Sequence, residues 1–402
     1  MKVLVCGAGL TGLALANRIS ALGGEAVVLE RAPGPRAQGY MIDFFGPGYD
    51  AVAAMGLLPR VERLAYPVAE AVFVDERGRR RAAVEPAQFA AGPLLNLMRP
   101  DLERVLREAL PPDVELRFGT GPAAVDARDD GVRVTLEDGT ALEADLLVGA
   151  DGVHSTVRRQ VFGDESRYLR HLGFHTAAFT FDAPEVHARI EGRAYLTDTV
   201  GRQMGFYALR GADAERGRVA AFAVHRTADR RPPDDVAGAV RAAYGDLGWV
   251  APTALAAMPP AGEIYYDQVA QIIMPRWSSG RVVLAGDACH AVSLLAGQGA
   301  SLGIAGAYLL ADLLARGEPV GRALARYEEL WRPVVEEKQK AGRSAARWFL
   351  PASPFQLGLR RAALRLARVP VFDRYVAAVL AGKSTALIRN MREARDAPRA
   401  RS

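Results

Sequence analysis

Cysteine is almost absent from this chain, which has two, Cys6 and Cys289, in 402 residues. Both flank glycine turns in expected strand or loop segments, so a disulfide framework is excluded and a reducing compartment is expected. Each fits the role of a small buried hydrophobe. No apolar run reaches the roughly 20 residues needed to cross a bilayer, which excludes a transmembrane helix. The first expected strand, KVLVC, begins at Lys2. No charged region and cleavage site precede it, and a cytoplasmic protein is expected. Six scattered histidines and two cysteines show no metal-ligand spacing, so no metal is expected. No internal repeat or low-complexity linker is visible. What remains is an ordinary globular composition, half hydrophobic and about a quarter charged, in a chain long enough for two or three domains.

The net charge of +5 is uneven. Between Arg360 and Ser402 there are 11 Lys/Arg and 3 Asp/Glu, a local surplus of 8 that leaves the other residues at −3. Nucleic-acid binding calls for a basic face interleaved with aromatics in a recognisable module. This segment instead shows helix-like runs, LGLRRAALRLA and DRYVAAVLA, with arginines between apolar positions. It reads as a helical cap with solvated arginines; contact with an anionic membrane surface is the alternative.

The opening reads strand, turn, helix, strand: KVLVC, GAGLTG, LALANRISALG, EAVVLER. Gly7, Gly9 and Gly12 fit G-x-G-x-x-G, and Glu30 ends the second strand about 20 residues on, where a ribose-binding acid belongs. Gly7 permits the tight turn, Gly9 lets the backbone approach a pyrophosphate, and Gly12 lets helix and strand pack closely. The helix N-terminus adds free N–H groups and about half a positive charge. An acid at Glu30 disfavours a 2′-phosphate there, leaving NAD or the adenosine half of FAD.

Further along, RPDLERVLREAL from Arg99 is an amphipathic helix, and VELRFG and GVRVTLEDGTALEADLLVGADG give strands with a turn at Asp138-Gly139. Between about 165 and 265 the pattern alternates, as in HTAAFTFDA and RVAAFAVHR, and predicts an antiparallel sheet. The apolar run RVVLA then leads into a second glycine-rich turn, GDACHAVSLLAGQG, at 286–299, followed by a small-residue helix. The fold class predicted is α/β: a discontinuous Rossmann-like dinucleotide-binding domain, the FAD-binding domain if the second turn serves the flavin half, at 1–66, 93–164 and 267–345, an inserted antiparallel-sheet substrate domain at 67–92 and 165–266, and a C-terminal helical segment at 346–402. The second turn is then available to the other half of the same extended cofactor.

Three motifs in order, GAGLTG…LER at 7–31, GADGVHSTVR at 149–158 and GDACHAVSLLAGQG at 286–299, with Arg99 before a helix, resemble the single-component FAD-dependent monooxygenases of the aromatic hydroxylase type. The resemblance covers most of the first 315 residues. It implies that Glu30 binds the adenosine ribose, Arg31 lies near the adenine, and Arg99 reaches the ribityl or pyrophosphate region. It further implies that Asp151 and Gly152 shape the FAD and NAD(P)H site, that Asp287 bonds the ribityl or phosphate region, and that Gly297, Gln298 and Gly299 place N–H groups near the flavin pyrimidine. NAD(P)H is the implied reductant and O2 the co-substrate; a flavin C4a-hydroperoxide would pass one oxygen to an electron-rich small organic molecule. A helix N-terminus at Gly299 would stabilise the anionic reduced flavin. The chain departs from the family at Leu294, where proline is frequent, and at Gly306-Ala307, where an aspartate-alanine pair is frequent.

Substrate residues are less determined. Tyr207 and His225 lie on strands that either face the flavin or turn away, and Asp43 either lines the site or caps a turn. His290 is expected to support its loop and not to act as a base. The halogenase motif W-x-W-x-I-P is absent, since Trp249, Trp277, Trp331 and Trp348 are far apart. An epoxidase, a Baeyer-Villiger oxygenase, a flavin dehydrogenase and a non-enzymatic nucleotide sensor stay as alternatives.

Overall fold

The strand Lys2–Cys6 lies at the centre of a parallel sheet because it is apolar on both faces: Val3, Leu4 and Val5 are fully buried. It pairs in parallel with Glu25–Glu30 on one side and Leu146–Gly149 on the other. Glu115–Phe118 and Val282–Leu284 extend the sheet in parallel, and the short antiparallel strand Ser278–Ser279 closes one edge. Three segments distant in sequence thus end side by side, and their carboxyl ends run into turns at Gly7, Ala150 and Gly286. Ligands of open α/β sheets bind outside such ends. The computed structural model describes residues 1–35, 39–86, 92–294, 297–366 and 386–396.

Close helix packing holds the first and last turns together. The helix Leu10–Ala21 lies against the helix Gly299–Leu314, and the Thr11 hydroxyl fits where a Cβ on Gly286 or Gly303 would come within 2.3 or 2.4 Å of it. The Arg18 guanidinium, almost buried, meets Asp312 at 2.6 Å and lies over the Tyr308 ring at 4.5 Å. Ser301 bonds Gly48 N–H and the Phe45 carbonyl, tying the helix Pro47–Ala54 to the same bundle.

The second sheet has seven strands in the order Tyr265–Ile272, Leu169–Asp182, Arg218–Arg226, Arg202–Ala208, Arg193–Thr197, Glu70–Val74, Arg80–Val84. It is antiparallel except for the parallel pair Arg193–Thr197 and Glu70–Val74. The strand Tyr265–Ile272 runs through the expected boundary at 266/267. Alternation sorts its faces: Val219, Ala221 and Ala223 pack under the helices Val236–Tyr244 and Ala251–Ala256, while Ala220, Phe222 and Val224 face the parallel-sheet side. The predicted hairpin turn is there too, with Gly139 at φ +84° between Val132–Leu136 and Ala141–Ala144.

The C-terminal segment is helical where described, in the last turns of Val320–Phe349, in Pro354–Leu366 and in Leu387–Asp396. The run DRYVAAVLA lies outside the described residues. One expectation needs correction. Arg360 is buried and Arg361 only partly solvated, and both turn inward onto Asp198, because that carboxylate is buried and requires a cation. Among the described residues no helix is long and apolar enough to cross a membrane.

Candidate active site

The first turn is shaped by what its glycines lack. Gly7 sits at φ +109°, donates its N–H to the Leu29 carbonyl at 2.7 Å, and leaves only 2.4 Å between a hypothetical Cβ and the Ala150 oxygen. A Cβ at Gly12 would lie 1.9 Å from the Gly7 oxygen. Gly9 is different. Its nearest neighbour is Arg99 Nη2 at 3.7 Å, so it faces a cleft. At the end of the second strand the Glu30 carboxylate accepts N–H bonds from Ala8 and Ala32, both 2.9 Å, which fixes it beside the turn.

The cleft has two lobes. One, of about 150 Å³, is lined by Gly7, Glu30, exposed Arg31 and Asp151; the other, of about 440 Å³, by Asp43, Asp287, Gly297, Gln298 and Gly299. Gly9, Arg99, Ala150 and Gly152 line both, so the lobes meet at Arg99. The Arg99 guanidinium is oriented by Glu103 at 2.9 Å. Asp287 opens onto the cavity but is otherwise enclosed by protein; burial raises its pKa above the usual carboxylate range, with Arg99 opposing. Asp43 is pushed up in the same way, and its bond from Asn96 Nδ2 at 2.6 Å opposes that shift.

The middle motif is a brace. Asp151 accepts from Ser155 Oγ at 2.5 Å and from the N–H groups of Thr156 and Val157 at 2.7 and 3.1 Å, so its carboxylate caps the helix Thr156–Val161 while its backbone borders the cleft. Arg158 is fully buried and donates to the carbonyls of Val153 and Ala288 and to Glu165. It thereby clips the second motif to the third.

A family profile described as FAD binding domain matches residues 1–340 of the chain. A Mycobacterium tuberculosis protein, Rv1260, is 35% identical over 344 residues, covering 84% of this chain and 91% of that protein. The chain is a member of the FAD-dependent monooxygenases of the aromatic hydroxylase type. The flavin-dependent monooxygenase of Legionella longbeachae is 28% identical over 85% of this chain and 88% of its own length. Among solved structures, tetracycline destructase Tet(51) superposes with a TM-score of 0.80 at 26% identity, covering 96% and 98% of the two chains. Klebsiella pneumoniae HpxO, complexed with FAD and uric acid, shares the fold with a TM-score of 0.76 at 21% identity, over 94% and 96%.

In this monooxygenase the three substrate candidates part company. Asp43 lines the larger lobe. Tyr207 does not: it is buried behind the strand Met41–Phe45, its hydroxyl accepting the Met41 N–H at 2.5 Å. His225 faces the opposite side of the sheet, 3.0 Å from the Tyr244 hydroxyl, and desolvation lowers its pKa to about 4. His290 is 2% exposed behind its loop, with its ring 5.0 Å from that of Trp277. Sequence reasoning missed the aromatic wall. Tyr40 stands with its ring centroid 5.6 Å from those of both Phe222 and Tyr265, and all three border the larger lobe with Phe349. It also missed His154, held between Asp267 at 3.2 Å and Glu165 at 2.9 Å; the Asp267 bond is the main cause of a pKa raised to about 9. The position of His154 inside GADGVHSTVR was the available signal.

Proposed function

We propose that this monooxygenase takes reducing equivalents from NAD(P)H and inserts one atom of O2 into an aromatic or polycyclic, electron-rich small molecule lying in the 440 Å³ lobe. The observation that carries the reading is the joined cleft: an acid and a glycine turn at one end, an aromatic wall at the other, and Arg99 between them. The residues fit FAD. Neither Leu10–Ala21 nor Gly299–Leu314 has a side-chain cap or an acid in its first turn among the described residues, so both keep first-turn N–H groups available to an anionic group. When bound, FAD supplies the redox and oxygen-activating chemistry.

The chain's own contribution is binding, charge and dryness. Glu30 would accept the adenosine ribose hydroxyl and Arg31 lie by the adenine, with Gly9 admitting the pyrophosphate. Arg99 and Asp287 would bind the ribityl and phosphate region. The Gly297–Gly299 N–H groups would face the flavin pyrimidine and stabilise negative charge. Asp151 and Gly152 would hold the shared wall in shape. Tyr40, Phe222 and Tyr265 would stack the substrate ring and exclude water, which suppresses loss of reducing equivalents as peroxide. Burial pushes the Tyr40 hydroxyl up to about 12, so it stays protonated at neutral pH.

The test is stopped-flow flavin reduction with NADH and with NADPH across phenolic and polyketide compounds, followed by product mass under 18O2. A compound that accelerates reduction and gains one 18O atom is expected. Reduction with no labelled product from any compound, and all equivalents recovered as peroxide, would speak for an oxidase instead.

A further inference from the structure

The C-terminal segment reaches the larger lobe. Phe349, the last residue of the long helix, borders the cavity and, like Phe222 and Leu294, packs against the small core of Phe174, Val224, Val269, Ala346 and Leu350. Its backbone is held from two sides. Arg360 donates to the Phe349 carbonyl at 2.6 Å, and Arg226 donates to the Leu350 carbonyl through two nitrogens, at 2.6 and 3.1 Å. Arg360 is itself held by Asp198 at 2.6 Å, and Arg361 meets the other oxygen of the same carboxylate at 2.5 Å. The Asp198 side chain is 1% exposed, and Arg360 lies over the Phe73 ring at 5.3 Å. An ion triad on the seven-stranded sheet therefore stands one hydrogen bond from the cavity wall.

We infer that Phe349 is a specificity-determining wall of the substrate cavity and that Asp198, Arg360 and Arg361 form the device that positions it. This rests on the reading of the larger lobe as the substrate site. Removing the Phe349 ring enlarges the cavity and favours larger substrates. Loosening the triad frees the Phe349 carbonyl from Arg360 and has the same effect from a residue that touches no substrate. That distinguishes it from a merely structural ion pair, whose loss lowers stability without changing which molecule is preferred.

The experiment uses the FAD-loaded full chain and two probes, 2-naphthol and the three-ring alizarin, with binding read from the flavin absorbance. Phe349→Ala is expected to shift the preference toward alizarin by roughly tenfold, the scale of a changed apolar pocket contact. Asp198→Asn is expected to shift it the same way with flavin occupancy unchanged, and the double variant to shift it little further. Should Asp198→Asn not fold, Arg361→Gln, which leaves Arg360 in place and changes a side chain that is 30% exposed, carries the same expectation at smaller size. A wild-type preference ratio in Phe349→Ala, or in a folded triad variant, overturns the inference while leaving the substrate site standing. If neither probe perturbs the wild-type flavin spectrum, the reading of the cavity falls and the inference with it.

Discussion

Glu30 is held in place by the fold before any ligand arrives, since Ala8 and Ala32 donate to its two oxygens. Glu30→Ala removes a charged acceptor from the ribose position, a loss of about 1.5–3 kcal/mol or roughly 10- to 150-fold in FAD affinity. Titration of the apoprotein measures it, and unchanged affinity removes Glu30 from the ribose. The histidines set the pH dependence, with two signs. His225 and His290 are held near a pKa of 4 by burial, below the usual 6.5. As pH falls below about 6.5 the unfolded chain takes up protons that the folded chain refuses, so stability declines until about pH 4, where the folded rings protonate too. His154 is raised to about 9, so its contribution is complete below about 6.5 and is lost as pH rises through 9; solvent screening of a half-exposed ring keeps it small. Thermal melts from pH 4 to 10 are expected to show a steep acid limb and a shallow alkaline one. His225→Gln should flatten the acid limb in part and the His225→Gln/His290→Gln double variant more so; a slope unchanged in the double variant would assign that limb to other groups.

At the scale of elements, the packing of Leu10–Ala21 on Gly299–Leu314 depends on one hydroxyl fitting between two glycines. Gly303→Ala would set a methyl 2.4 Å from Thr11 Oγ1, an overpacking expected to cost about 1–3 kcal/mol. Thr11→Ala in the same chain should recover most of it, which denaturant unfolding can check; no recovery would locate the strain elsewhere. Gly299 is not crowded in this way. A Cβ there meets Asp287 Oδ1 at 3.7 Å, an ordinary contact, so Gly299→Val should leave the fold intact and project its methyls toward the flavin position. A harder-to-reduce flavin and more peroxide per NAD(P)H consumed are expected, read from the reduction potential and a peroxide assay. The central parallel strands were legible because their cores, VLVC, AVVL and LLVG, are short apolar runs close to glycine, and the inserted sheet because its strands alternate. The faces of that sheet were not. A period of two gives two equivalent solutions, and only packing against Met41 and Tyr244 decides where Tyr207 and His225 point.

At the scale of the molecule, three distant motifs form one cleft because their strands are neighbours in a sheet; that the first and third serve one site was expected from the repeated strand, turn and helix pattern, while the strand order was not. The helices of the C-terminal segment were legible, but the partners of its charges were not. Eleven basic residues against three acidic ones look like a solvated or membrane-facing surface when their partners are unknown, and the decisive partner, Asp198, lies 162 residues before Arg360. No local pattern links the two. Because Arg360 and Arg361 are neutralised internally, and Ile388 is fully buried beside the Arg389–Asp50 pair at 3.5 Å, the described parts of this segment are built into the protein. Full-length protein is therefore expected not to sediment with phosphatidylserine vesicles at physiological salt. Removing residues 360–402 should instead lower stability, since a buried carboxylate left without its cations costs about 3–5 kcal/mol. The two outcomes separate cleanly. Salt-sensitive sedimentation abolished by the truncation, with the melting temperature and flavin content unchanged, would mean that the segment serves a membrane surface; a large fall in melting temperature with no vesicle binding in either form would mean that its charge serves the fold.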